Sequence, residues 1–166
     1  MLVIGCKRNN ADEPTPPAQY PTITMDMLKS YFPYQSEKKY SFNFGISNTT
    51  YTVGDMSFTS KGNKIYANIT LNGIRNYSIE NGQALIILTA EVTDNHFFKA
   101  TFEQCGIDRN TGEHIFPSGG SFYFDTSKDG NLPEKIVFSD GSVLKKSTGL
   151  ISYLNADKEE YVLNIR

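Results

Sequence analysis

The side chains best arranged to do chemistry lie in Asp125-Thr126-Ser127-Lys128-Asp129-Gly130. Oxygen-bearing residues at the first, third and fifth places, with glycine at the sixth, reproduce the opening of a calcium loop. The twelfth place of such a loop takes a bidentate glutamate, but here it is Ile136, and Pro133 precludes an exiting helix. Asp125, Ser127 and Asp129 thus form a weak calcium candidate. A hairpin turn between Phe122-Tyr123-Phe124 and Ile136-Val137-Phe138 accounts for the same residues. His96 and His114 are the two imidazoles, without the close spacing that zinc ligands favour. His96 opens a strand pattern on its apolar side and reads as a structural histidine, while also standing among the candidate ligand contacts. His114, next to Glu113 in a loop, reads as solvent-facing.

Paired carboxylates for glycoside hydrolysis need to face each other about 5–9 Å apart. Glu91 and Glu103 fall on neighbouring strand patterns, but both occupy polar faces among threonine and lysine and read as solvated surface. The chain has no nucleophile elbow, phosphate-cradling glycine loop or zinc-protease helix motif. Catalytic residues, a resident metal and a cofactor are therefore not expected. Tyr66, Tyr77 and Tyr123 lie on polar faces and are candidates for stacking against a sugar or a partner, though cross-strand pairing also accounts for them.

These residues sit in a chain of 166 with 16 Lys+Arg, 18 Asp+Glu and a net charge of −2. That balance provides no basic field, which argues against nucleic acid as the partner. No apolar run reaches the ~18 residues of a membrane-spanning helix. There are 10 Tyr and 11 Phe but no Trp, a composition suited to half-buried pleated surfaces.

Period-two alternation runs through Tyr40–Ile46, Lys64–Leu71, His96–Glu103 and Tyr161–Ile165. Ala84-Leu85-Ile86-Ile87-Leu88 is apolar on both faces and is expected as a central strand covered on both sides, with the helix as one cover. Turn pairs such as Asn72-Gly73, Asn81-Gly82, Asp129-Gly130 and Asp140-Gly141 punctuate the pattern and leave no room for crossover helices. One helix of two to three turns is expected within 22–34, capped by Thr24, with Asp26 in its first turn and Pro33 as its stop. The fold class is therefore all-β: an antiparallel meander of about eight to ten strands, closing as a barrel or packing as a β-sandwich, with one short N-terminal helix.

Three resemblances add to this reading. Val3-Ile4-Gly5-Cys6 resembles the lipobox of bacterial lipoproteins, which implies acylation of Cys6 and attachment to a lipid bilayer. Residues 1–6 then read as a signal remnant, the Pro-rich 7–21 as a tether, and 22–166 as a single β domain. With Cys6 acylated, Cys105 remains as a buried, inert thiol. The resemblance implies the bacterial outer membrane, on its periplasmic or cell-surface face; Lys7-Arg8 stand where surface-displayed lipoproteins carry acidic residues, which leaves the periplasm-facing position open. The meander with an N-terminal helix resembles the lipocalin-type (calycin) barrels, although it lacks their Gly-x-Trp signature. Tyr31-Phe32-Pro33-Tyr34, followed by Glu37–Phe42, and Pro133–Gly141 are similar to segments of small gut-anaerobe envelope lipoproteins. Asn48, Asn68 and Asn76 head Asn-x-Ser/Thr triplets that chance accounts for.

The function expected is non-enzymatic: an envelope protein, lipid-anchored through Cys6, that binds a small molecule or glycan in a barrel mouth or on an aromatic face. An accessory subunit of an envelope complex, docked through a strand edge, is the alternative. A small hydrolase without recognisable motifs is the third reading.

Overall fold

The computed structural model describes residues 19–76, 81–108 and 110–164. Cys6 with its lipobox, residues 7–18 of the tether, Tyr77 and Ile165 lie outside the described residues. Ten strands form one antiparallel sheet. β1 (Lys39–Phe44), β2 (Ser47–Lys61), β3 (Lys64–Asn76), β4 (Asn81–Thr93), β5 (Phe97–Ile107) and β6 (His114–Asp125) are consecutive hairpin neighbours. β7 (Lys135–Val137), β8 (Val143–Lys145), β9 (Gly149–Leu154) and β10 (Glu160–Leu163) continue the meander, and β10 returns to pair with β1.

The sheet edges, β6 and β7, meet at a seam. There Ser139 N–H donates to the Ser121 carbonyl at 3.0 Å, and Ser121 N–H donates to Ser139 Oγ at 3.0 Å. The result is a nearly closed barrel, compatible with the lipocalin-like architecture, and the sandwich alternative is set aside. Pairing of distant ends is what separates the two: β1 holds Phe42 opposite Leu163 and thereby curls the sheet around one core.

Inward positions carry the apolar half of each alternation. Ala67, Ile69 and Leu71 on β3, Ile86, Leu88 and Val92 on β4, and Phe98, Ala100 and Phe102 on β5 are all buried. Aromatic rings fill the barrel centre. Tyr153 stacks on Tyr161 with ring centroids 5.0 Å apart and meets Phe42 edge-on at 5.2 Å. The Tyr51 and Tyr153 hydroxyls lie 3.1 Å apart.

The helix α1 (Met25–Lys29) is capped as expected, with Thr24 Oγ1 accepting from Met27 N–H at 3.2 Å. It is five residues long rather than two to three turns. Its continuation is held by other parts of the barrel, because Ser30 O accepts from Ser147 N–H and Tyr31 donates its hydroxyl to the Pro133 carbonyl. The helix packs mainly against β3. Ile23, Leu28, Tyr31, Phe32 and Tyr34 are buried in the main core, where they plug one end of the barrel. The outward Leu85 and Ile87 are instead half-buried by flanking residues of the sheet, Asn72 and Cys105 beside Leu85, Thr70 and Glu103 beside Ile87.

Tyr34 shows how tightly the plug fits. Its hydroxyl accepts from Leu150 N–H at 2.8 Å, and a Cβ at Gly149, whose φ is +86°, would lie 2.8 Å from that oxygen. Burial pushes the Tyr34 hydroxyl pKa well up, and burial followed by Glu134 raises that of Tyr31 to about 12.

The segment after β6 also departs from expectation. Residues 126–129 form a one-turn helix, α2 (Thr126–Asp129), and not a hairpin turn, because β6 and β7 are the two edges of the sheet. His114 opens β6 rather than lying in a loop. His96 sits in the β4–β5 turn, one residue before β5.

Candidate functional site

Antiparallel register places side chains directly opposite one another on the same face. Tyr66 on β3 faces Glu91 on β4, Glu91 faces Lys99 on β5, and Lys99 faces Tyr123 on β6. All four are on the outer face: Ala67, Ala90, Phe98 and Ala100 beside the first three are buried, and Tyr123, paired with Lys99, is itself exposed. At ~4.8 Å per strand, the row separates the two tyrosines by about 14 Å. The sequence placed Tyr66 and Tyr123 on polar faces. The structure adds that they bracket a charged pair in one row.

Lys64 Nζ lies 2.9 Å from Glu91 Oε1, and Thr93 Oγ1 donates to the same oxygen at 3.2 Å. The Lys64 hydrogen bond holds the Glu91 carboxyl below its ordinary pKa, and Lys99 adds to the effect. Lys64 is correspondingly raised by its bond to Glu91. Lys99 Nζ stands 5.7 Å from the Tyr123 ring centroid, a cation–π arrangement that orients the ring. Tyr123 is 56% exposed, and Tyr66 is half-buried. The next row supplies Asn68, Thr89 and Thr101, with the two threonine hydroxyls 2.5 Å apart. Tyr66, Glu91 and Lys99 with Asn68, Thr89 and Thr101 bound a shallow depression of about 260 Å³, and Tyr123 stands beyond it on the far side of Lys99. Hydroxyl, amide, carboxylate and ammonium groups beside tyrosine faces can hydrogen-bond and stack on a polyhydroxylated ring.

Two larger open depressions, of about 650 and 660 Å³, lie elsewhere: one across β1–β5, lined by residues that include Lys39, Thr50 and Asn72, and one beside β1 and β10, lined by residues that include Ser41, Thr148 and Asn164.

The remaining candidates are not brought together with this row. His96 Nδ1 is 3.1 Å from the Pro21 carbonyl and 3.0 Å from Thr126 Oγ1, and Thr126 Oγ1 donates to Pro21 O at 2.6 Å. The Tyr20 ring meets the His96 ring edge-on at 6.2 Å. His96 thus fastens the incoming chain, through Tyr20 and Pro21, to α2.

Asp125 is the N-cap of α2. Its Oδ1 accepts from the Ser127 amide and hydroxyl, and Lys128 lies 3.2 Å from Oδ2. Asp129 Oδ2 accepts from Asp125 N–H. Among the described residues there is no cluster of three or more metal-ligating side chains. The Ser127 hydroxyl, followed by its amide, holds Asp125 below its ordinary pKa. A depressed carboxyl stabilises the fold above its unfolded pKa of ~3.9, and the contribution disappears as pH falls through the lower folded value. The stability difference between wild type and Asp125→Ala is therefore expected at pH 6 and should shrink below about pH 4. Urea melts across that range check this.

Glu91 and Glu103 share the outer face, but their partners Lys99 and Ile87 place them four residues apart along β5, about 13 Å. That exceeds the separation a glycosidase pair uses.

Register also reveals residues that strand patterning does not single out. Lys64 and Lys99 join the row only through pairing. Gln104 points into the barrel, 1% exposed, with Oε1 accepting from Ser118 Oγ at 3.3 Å and Nε2 without a partner. Its polar identity on an otherwise inward position was the available signal. Comparison of the chain with models of known families, with curated proteins and with solved structures finds no match.

Proposed function

We propose that this protein is a non-enzymatic binding protein of the bacterial outer membrane, tethered by an acylated Cys6, whose outer β3–β6 face takes a saccharide. The observation that carries the binding reading is the row Tyr66–Glu91–Lys99–Tyr123, which sets two tyrosines around polar groups on a solvent-facing wall. The aromatic packing of the barrel centre favours this outer face over a ligand held in a barrel mouth. The lipobox-like Val3–Cys6, the Pro-rich stretch after it and the Tyr31–Tyr34 segment support the gut-anaerobe lipoprotein reading of the chain's address.

The test uses calorimetry with a panel of gluco-, xylo- and manno-oligosaccharides. At least one is expected to bind, with Tyr123→Ala weakening it about tenfold and Tyr66→Ala acting in the same direction. Absence of binding across the panel, or binding indifferent to both substitutions, overturns the saccharide reading. In a parallel arm, radiolabelled palmitate is expected to label the protein expressed in a bacterial host behind a lipoprotein export signal, and Cys6→Ser to abolish the label. Equal labelling of the variant overturns the anchor.

A further inference from the structure

The barrel wall differs from one side to the other. On β3–β6 the rows Tyr66–Glu91–Lys99–Tyr123 and Asn68–Thr89–Thr101–Ser121 are polar. On β7–β10 one outward row is valine-rich, interrupted by a single buried serine, Ser152. Val137 pairs with Val143, Val143 with Ser152, and Ser152 with Val162. Val137 is 56% exposed and Val162 49%. The bulged Ile151 lies with Ser152 and Val162 in a depression of about 340 Å³. Three outward valines around one buried serine, rimmed by charge, make a surface suited to packing against a partner.

The charges around the stripe are sorted by sign. Lys135 and Lys145 stand directly opposite each other on one margin, where like charges repel. Glu160 stands on the other margin, two residues before Val162 on β10. Among the described residues, none of the three takes part in an ion pair.

We propose that this face is the interface of a two-fold homodimer, stripe against stripe, with Lys135 and Lys145 of one copy facing Glu160 of the other. A two-fold axis through the stripe lays the patch on its own copy with direction reversed. A patch with cations on one margin and an anion on the other is then complementary to itself. An acidic partner of another kind would satisfy the lysines but set its charge against Glu160. The inference does not rest on the saccharide reading.

Sedimentation velocity of the full chain under reducing conditions, which removes any Cys6–Cys6 bridge, tests it. A species of twice the 18.6 kDa monomer mass is expected. Val162→Glu, at an exposed position, should weaken the dimer by at least about tenfold while leaving the circular dichroism spectrum unchanged. Lys145→Glu should weaken it too, and Lys145→Glu combined with Glu160→Lys should restore it. A wild-type protein monomeric at about 100 µM, a dimer indifferent to Val162→Glu, or a double variant as weak as Lys145→Glu alone overturns the proposal.

Discussion

Replacing Tyr153 by alanine lowers the unfolding free energy by about 4 kcal/mol, the largest single-residue loss expected in this protein. Tyr153 is fully buried at the point where both halves of the barrel meet. Its ring stacks on Tyr161 at 4° and contacts Phe42, Tyr51 and Phe102 with centroids between 5.2 and 6.2 Å away. Those neighbours sit on β1, β2, β5 and β10, so truncation leaves a cavity that no one element can collapse into. Tyr153→Phe keeps the ring and loses only the hydroxyl facing Tyr51, which costs about 1 kcal/mol. Chemical denaturation of the three proteins separates ring from hydroxyl. Equal losses in the two variants would show that the hydroxyl, and not the aromatic packing, holds the centre together.

Gly119→Ala is expected to cost about 3 kcal/mol, at the upper end for overpacking. A Cβ at this position would lie 2.2 Å from the Phe102 carbonyl oxygen and 3.0 Å from Glu103 Cα. Both obstacles belong to the β5 backbone, so no side-chain rotation relieves them. Relief requires β6 to move away from β5. Because β6 also carries Ser121, which bonds Ser139 across the seam, the displacement would open the barrel at its closing contact. A loss of melting temperature together with faster amide exchange at Ser139 is the expected signature. A fully stable Gly119→Ala protein would show that β6 is free to shift without consequence.

The strand half of the architecture was legible because its physics is local. Alternation in Lys64–Leu71 and His96–Glu103 states which side of each strand is buried, and Asp140-Gly141 marks the reversal between β7 and β8. Asn72-Gly73, by contrast, falls inside β3 and Asn81-Gly82 opens β4, because pairing of the two strands continues past both pairs. The helix was legible at its start but not its length. Thr24 caps through a bond three residues away, whereas the end of α1 is set by Ser147, Pro133 and Leu150, which are more than a hundred residues distant. The same limit explains α2. Asp125-Thr126-Ser127 is compatible with a hairpin turn or an N-cap. The choice follows from β6 and β7 being opposite edges of the sheet, a property of the whole meander.

The candidate site divides in the same way. Tyr66 and Tyr123 were visible as aromatics on polar faces, but Lys99 and Glu91 join them only once three strand pairs are in register. Two adjacent strands could slip by two residues and keep the same faces buried, yet the row would be lost. The valine stripe behaves likewise, since Val137, Val143 and Val162 are scattered through 26 residues and meet only across β7–β10.

By itself, the sequence determined the all-β class, the inward side of the main strands and the capped start of the helix, because each depends on interactions within a few residues. Tertiary structure alone decided that the sheet curls into a barrel, that Tyr31–Tyr34 plugs its end, and which outward side chains share a row. Those outcomes depend on pairings between residues far apart in the chain, such as Phe42 with Leu163, whose energies no local pattern records.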